Sequence, residues 1–176
     1  MKEKEVKVLD IDKEEIERKL IELGAVLIKD ENQINYRFDT EDGVLKKKYN
    51  GYLRIRRTEN NLTGEIKNTM TFKRSIKRDS LRVNEEIETD ISDWESAAKI
   101  IELLGYKRKR PGYKHRRSYV YDNIVFEIDT WDDYTYSKPY LEIEVSSYED
   151  LEKAISLLKL DRNKITTKPI DELRKE

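Results

Sequence analysis

The sequence predicts an α+β fold in which antiparallel strands carry charge on one face and apolar side chains on the other. Three observations predict it. Short stretches of strict apolar–polar alternation recur along the 176 residues, the signature of half-buried strands. Capped segments of helical period separate some of them. The polar positions of the strands are nearly all full charges, mostly of one sign per strand, where an ordinary solvated sheet face would mix Thr, Ser, Gln, Asn and Lys.

The first strand is Glu3-Lys4-Glu5-Val6-Lys7, which places Glu3, Glu5 and Lys7 on one face and Val6 and Val8 on the other. Asp12, with Glu15 three residues on, caps a helix through Ile16, Leu20 and Leu23, and Gly24 ends it. Leu27 to Asp39 is a strand with Ile34, Tyr36 and Phe38 opposite Asn35 and Arg37. Asp42-Gly43 and Asn50-Gly51 signal turns or loops. In the next strand Leu53 and Ile55 alternate with Arg54 and Arg56. Thr69 to Arg74 sets Thr71 and Lys73 against Met70 and Phe72, and Arg82 to Thr89 sets Glu86 and Glu88 against Val83, Glu85 and Ile87.

Ser92 to Glu95 reads as a capping box for a helix ending at Gly105. The basic run Lys107–Arg110 follows and is expected to be a solvated segment beside the Pro111-Gly112 turn. A long strand then carries Lys114, Arg116 and Ser118 on one face, with His115 out of phase on the outside. Glu127 and Asp129 oppose Phe126 and Ile128, and Glu142 and Glu144 oppose Leu141, Ile143 and Val145. Ser147 and Asp150 cap a helix through Leu158, and a last short helix is expected in the tail near Pro169. Trp94 and Trp131 are expected to pack.

Composition narrows the chemistry. The length suits one domain, residues 1–176. Charged residues are 41% of the chain against about 25% in an average domain, yet the net charge is −1, so nucleic acid is not an expected partner. With no Cys, thiolate metal sites, disulfides and a thiol nucleophile are excluded. With His115 the only histidine, a multi-His zinc site is excluded as well, and any metal is expected to be held by carboxylates, which suits Mg2+ or Mn2+. No apolar run approaches a membrane span and no signal-peptide pattern opens the chain, so the expectation is a soluble cytoplasmic protein without a membrane partner.

The charged faces allow two architectures: an open sheet with a solvated outer face, or a barrel closed with its charges inward. In the second, Arg and Lys from several walls surround a phosphate chain, and carboxylate pairs hold divalent cations that bridge the same oxygens. The order of motifs resembles the CYTH superfamily of triphosphate tunnel metalloenzymes. Glu3-x-Glu5-x-Lys7 is similar to its ExExK signature. Leu53-Arg54-Ile55-Arg56, Thr71-Phe72-Lys73, Glu85-Glu86-Ile87-Glu88, Lys114-x-Arg116-x-x-Tyr119, Ile128-Asp129 and Leu141-Glu142-Ile143-Glu144 follow in the family's order.

That resemblance implies a closed antiparallel eight-stranded β-barrel, a tunnel with a charged lumen flanked by helices. It implies a metal-dependent hydrolase of triphosphate-containing small molecules, inorganic or organic, with Mg2+ or Mn2+ as cofactor. Glu3, Glu5, Asp129, Glu142 and Glu144 would serve the metal, with Glu86, Glu88 and Glu127 as supporting acids. Lys7, Arg54, Arg56, Lys73, Lys114 and Arg116 would grip the triphosphate, and Glu3, Glu5 and Lys7 would form the catalytic set. A class IV adenylate cyclase and a thiamine triphosphatase would use the same tunnel. A catalytically silent binder of polyphosphate or nucleotides is the reading from a different class. A homodimer is compatible with the resemblance. Two departures stand out: Asn84 where the family often has Arg, with Arg82 one alternation earlier as its substitute, and the loop from Asp132 to Lys138 in place of a Gly-rich turn. That loop is expected near a tunnel mouth.

Overall fold

The structure, a computed structural model, describes residues 2–174. In chain order its elements begin β1 (Lys2–Val8), α1 (Lys13–Glu22), β2 (Val26–Asp39), α2 (Val44–Tyr49), β3 (Gly51–Asn60) and β4 (Ile66–Arg78). They continue β5 (Arg82–Asp90), α3 (Trp94–Leu103), β6 (Lys107–Arg108), β7 (Gly112–Tyr121), β8 (Ile124–Trp131) and α4 (Asp133–Tyr136). Last come β9 (Tyr140–Glu144), α5 (Tyr148–Leu158), a 3-10 turn, β10 (Ile165–Thr166) and α6 (Ile170–Leu173).

Eight of the strands form a closed antiparallel barrel. Its order is β1-β5-β4-β3-β2-β7-β8-β9, and β9 pairs back onto β1 with Glu5 opposite Glu144 and Lys7 opposite Glu142. Closure removes every edge of the wall. The two short strands lie off the ring. β6 pairs with the end of β2, and β10 joins β1 at Lys7 and Val8, just past the stretch that β5 covers.

Small barrels usually fill their interior with apolar side chains. Here the alternation runs the other way, so the hydrophobic core lies outside the wall. Val6, Val8, Phe126, Ile128, Leu141 and Ile143 point outward into a cluster with Ile16 and Leu20 of α1 and Leu151, Ile155 and Leu158 of α5. A second cluster packs Phe38 and Ile55 against Ala98 and Ile101 of α3. Each fully buried side chain of this size contributes about 1.5–3 kcal/mol, the driving force that offsets a charged interior. The helices do not cover the whole outer face: Ile76 of β4 and Ile87 of β5 are exposed. The outer face is more polar there, with Arg74 paired to Glu85 across the two strands.

The helix signals hold with one correction. Asp12 caps α1 through the Glu15 N–H, and Ser147 and Asp150 form a reciprocal capping box on α5. At α3 the cap is Asp93, not Ser92. The Asp93 carboxylate accepts from the N–H groups of Glu95 and Ser96, and an ionised acceptor is the stronger one. The turns at Gly43 and Asn50 hold a further short helix, α2, between them. Its six residues are too few for a periodicity to declare itself, and it starts because Asp39 accepts from the Leu45 and Lys46 N–H groups. The Asp132–Lys138 loop contains α4, capped by Asp132.

Candidate active site

The lumen is a cavity of about 670 Å³, within the range of small-molecule sites. Thirteen of the fourteen side chains that the sequence singles out line it: Glu3, Glu5, Lys7, Arg54, Arg56, Lys73, Glu86, Glu88, Lys114, Arg116, Glu127, Glu142 and Glu144. They arrive from seven strands through the two-residue period alone, since every second side chain of a strand faces inward. Asp129 is the exception. It points inward with Glu127 but is fully buried beneath Arg116 and Lys114 and is not among the lining residues.

Strand order sorts these charges. The acid-bearing strands β8, β9, β1 and β5 are contiguous, and so are β4, β3, β2 and β7 with their Lys and Arg residues. The lumen therefore has an acidic half-wall facing a basic one, with Lys7 and Arg82 as the cations set into the acidic side.

On the acidic side, carboxylate oxygens of Glu3, Glu5 and Glu144 lie within 4.8 Å of one another, a spacing suited to one cation. Glu5 is held by its surroundings. Asn84 Nδ2 donates to Oε1 at 2.9 Å, and Lys7 Nζ and Arg82 Nη1 stand at 3.7 and 3.5 Å from the same oxygen. Burial works against its charge, but Lys7 and Lys73 outweigh it and hold the carboxyl well below its usual range. Its other oxygen, Oε2, is buried without a hydrogen-bond partner. Glu144 has only the Arg116 guanidinium to favour its charge, and that is outweighed. Burial, with Glu127 and Glu142 close by, pushes its carboxyl up to about 8. Glu3 is raised by burial too, against the pull of Lys73. Hard oxygen donors, an orphaned inward oxygen and a carboxyl forced up by its neighbours together fit a divalent cation.

Lys73 spans the strands between the half-walls. It lies 2.6 Å from Glu86, 3.0 Å from Glu3 and 3.8 Å from Glu5, and these carboxylates raise its ammonium far above the usual value despite burial. Arg116 is caged. Its Nε and Nη2 donate to the two oxygens of Asp129 at 2.6 and 2.7 Å, Glu127 bonds Nη1, and Glu142 stands at 3.5 Å. Asp129 also accepts from Lys114 Nζ at 3.1 Å and Tyr140 Oη at 2.9 Å. With four donor groups on it, Asp129 is placed as the buried anchor of Arg116 and Lys114.

The basic half-wall is less committed. Arg54 donates to Thr71 Oγ1 at 3.1 Å and is 3.8 Å from Glu88, and its Nε is buried without a partner. Arg56 meets no carboxylate among the described residues. Its Nε donates to Asn35 Oδ1 at 2.8 Å, and among the described residues its terminal nitrogens make no side-chain hydrogen bond. Burial and the Arg116 guanidinium bring the Lys114 ammonium down to about 7, against the attraction of Asp129.

Buried neutral side chains orient the charged ones: Asn35 holds Arg56, Asn84 holds Glu5, Thr71 bonds Arg54 and Glu88, and Ser118 bonds Glu127. Asn35 shares its strand face with Arg37, and that phase was the available signal for it; its pairing to Arg56 depends on the β2–β3 register. Arg82 does reach Glu5, as its alternation suggests. His115 is on the outer face, bonded to Asp30.

Trp94 stacks on Tyr36. Trp131 lines the cavity, donates to Tyr140 Oη at 2.9 Å and sits under Lys114. Ile170 and Leu173 of α6 pack with Tyr140 and Trp131 at that end of the lumen. Asp171, in the same helix, makes two bonds to Arg37 at 2.7 and 2.8 Å.

Known proteins share this architecture. The family model for the CYTH domain matches residues 1–170. No curated protein sequence is significantly similar to the chain. Among solved structures, the PH1012 protein of Pyrococcus horikoshii OT3 is 26% identical, with a TM-score of 0.78 over 97% of this chain and 98% of its own. A protein proposed to be an adenylate cyclase from Vibrio parahaemolyticus is 14% identical, with a TM-score of 0.76 over 99% and 98%. HpAC1 from Hippeastrum, proposed as an adenylyl cyclase and described as revealing a dominant triphosphatase activity, is 18% identical, with a TM-score of 0.67 over 94% and 90%. The last two likenesses are of fold.

Proposed function

The chain belongs to the CYTH domain family, and on that premise we propose that it is a metal-dependent hydrolase that removes the terminal phosphate of a triphosphate held in the lumen. The observation that carries this reading is the opposition of the Glu3/Glu5/Glu144 cluster to the partly uncommitted cations Arg54, Arg56 and Lys114. A phosphate chain lying between the half-walls meets donors on one side and a cation seat on the other.

Each group then has a role. Arg54 and Arg56 offer forked donors to phosphate oxygens. Lys114, brought near the point of losing its proton by burial and Arg116, is drawn back to the charged form by the anion. Lys73 and Lys7 stand between carboxylates and phosphate, sharing their charge with both. Arg116, fixed by Asp129, presents its plane without freedom to wander. Glu3, Glu5 and Glu144 would hold Mg2+ or Mn2+, which when bound supplies charge neutralisation on the phosphate oxygens and acidifies the attacking water. Water attacks the terminal phosphorus, the bond to the bridging oxygen breaks, and an acidic-wall carboxylate accepts the water's proton. The basic half-wall stabilises the charge that builds on the leaving oxygen.

Hydrolysis is favoured over cyclisation of ATP by the aromatic end of the lumen. Ile170 and Leu173 pack with Trp131 and Tyr140 there, which leaves these two rings less open to an adenine. The test is phosphate release from tripolyphosphate, ATP and thiamine triphosphate, each with Mg2+, Mn2+ or EDTA, together with an assay for cyclic AMP. Metal-dependent release from tripolyphosphate without cyclic AMP supports the reading. Cyclic AMP with pyrophosphate from ATP would move the protein to the cyclase branch, and tight tripolyphosphate binding without turnover would make it a binding module.

A further inference from the structure

The basic run Lys107–Arg110 has no part in the triphosphate site, but the fold brings it to the lumen's mouth. β6 pairs Lys107 and Arg108 with Asp39 and Phe38 at the end of β2, and the Lys109 N–H donates to the Arg37 carbonyl at 2.8 Å. The same strand end starts α2: Asp39 accepts from the N–H groups of Leu45 and Lys46 at 2.8 and 3.2 Å. The run Lys46-Lys47-Lys48 is thereby set at the same corner. Lys46 and Lys109, far apart in sequence, both line the cavity.

The acids of this rim are already engaged. Asp39 is used by backbone N–H groups, Asp171 by Arg37, and Glu172 by Arg78 through two bonds of 2.8 and 2.7 Å. The lysines are not engaged: among the described residues, Lys46, Lys47 and Lys109 make no ion pair. Positive charge without a partner thus continues outward from the basic half-wall.

We propose that this rim is a second phosphate-binding site, and that it takes linear polyphosphate, with the terminal three phosphates in the lumen and the next ones crossing Lys46 and Lys109. The inference rests on the triphosphate reading of the lumen. A nucleic acid carrying a 5′-triphosphate is the other polyanion of suitable charge, but single strands are held largely by base stacking. The aromatic faces near the rim are taken. Tyr134 has the Arg110 and Arg174 guanidinium groups at 3.9 and 4.8 Å, and Tyr52 has Arg37 at 4.5 Å. Tyr49, at the end of α2, has Lys48 at 5.3 Å, so the rim offers phosphates several cations and offers bases only rings that already carry one.

The experiment is calorimetric titration in EDTA, where no turnover obscures binding. The ligands are tripolyphosphate, a linear polyphosphate of narrow length range and a single-stranded 5′-triphosphorylated RNA. The proteins are the unaltered chain and Lys46→Ala/Lys109→Ala. Polyphosphate is expected to bind about tenfold more tightly per chain than tripolyphosphate, and the double substitution to erase that advantage while changing tripolyphosphate affinity less than about twofold. Equal affinity for short and long chains would overturn the proposal, as would an advantage that survives the substitution or an equal loss for both ligands. RNA binding more tightly than polyphosphate, with the same lysine dependence, would assign the rim to nucleic acid instead. Polyphosphate bound through these lysines with no affinity for tripolyphosphate would leave the rim standing and refute the reading of the lumen.

Discussion

Asn35 Oδ1 accepts a hydrogen bond from Arg56 Nε at 2.8 Å, and no carboxylate among the described residues forms an ion pair with that guanidinium. A neutral amide thus orients a buried cation without cancelling its charge. Asn35→Ala should free the guanidinium to reorient and raise KM for tripolyphosphate about tenfold. Asn35→Asp should be worse, because the new carboxylate would pair Arg56 itself. Steady-state kinetics on both variants check this, and a smaller effect for the Asp variant would refute the positioning role.

Glu3→Gln and Glu5→Gln should each lower metal-dependent turnover by about a hundredfold or more, while tripolyphosphate binding in EDTA persists. Their stabilities should differ. Glu5 is 2% exposed and neutralises Lys7, Lys73 and Arg82, so its removal leaves buried positive charge and should cost about 3–5 kcal/mol in the free protein. Glu3, less enclosed, should cost less. Denaturant unfolding with and without tripolyphosphate measures both, and the anion should recover part of the Glu5 loss.

Glu144 predicts a pH dependence of known sign. Its carboxyl lies at about 8 in the folded chain against the ordinary 4.5. Between those values the folded state holds a proton that the unfolded state has released, so this group's contribution to stability falls as pH rises. Lys114, lowered to about 7 from 10.5, acts in the opposite direction but only above pH 7. Melting of the metal-free protein between pH 5 and 7 therefore reads Glu144 without Lys114, with Glu3, raised by burial as well, adding a slope of the same sign. Glu144→Gln should flatten the decline over that range. In the unaltered chain Mg2+ or Mn2+ binding should release a proton and weaken as the pH falls below 8. A slope unchanged by the substitution would remove Glu144 as its source.

The α6 packing predicts a change in selectivity. Ile170→Ala/Leu173→Ala should loosen that helix from Tyr140 and Trp131, at about 2–5 kcal/mol per truncation if the surroundings do not relax. Turnover of ATP relative to tripolyphosphate should rise, and Trp131 emission should shift to the red as its ring meets water. No change in the substrate ratio, despite the spectral shift, would show that α6 does not limit the organic end.

Much of this site was legible from alternation. Arg54 with Arg56, Glu142 with Glu144 and Lys114 with Arg116 face inward because a strand's period is two, and a one-residue slip would have put Leu, Ile and Val in the lumen instead. The caps at Asp12 and Ser147 were equally local. Asp93 was misassigned to Ser92 because two adjacent residues both suit a cap, and only backbone geometry selects between them. α2 escaped because tertiary contacts of Asp39, not periodicity, start it.

The sequence by itself determined which side chains face inward, how the helices are capped and that the core must lie on the apolar side of each strand. Those are properties of single elements, set by local geometry and by the cost of exposing apolar surface. Tertiary structure decided which strands are neighbours. It placed Glu144 opposite Glu5, joined β9 to β1, gathered the acidic strands on one side and withdrew Asp129 behind Arg116. It also set two lysine-bearing segments at one mouth. Strand order and closure arise from long-range pairing between segments, and no local period carries that information.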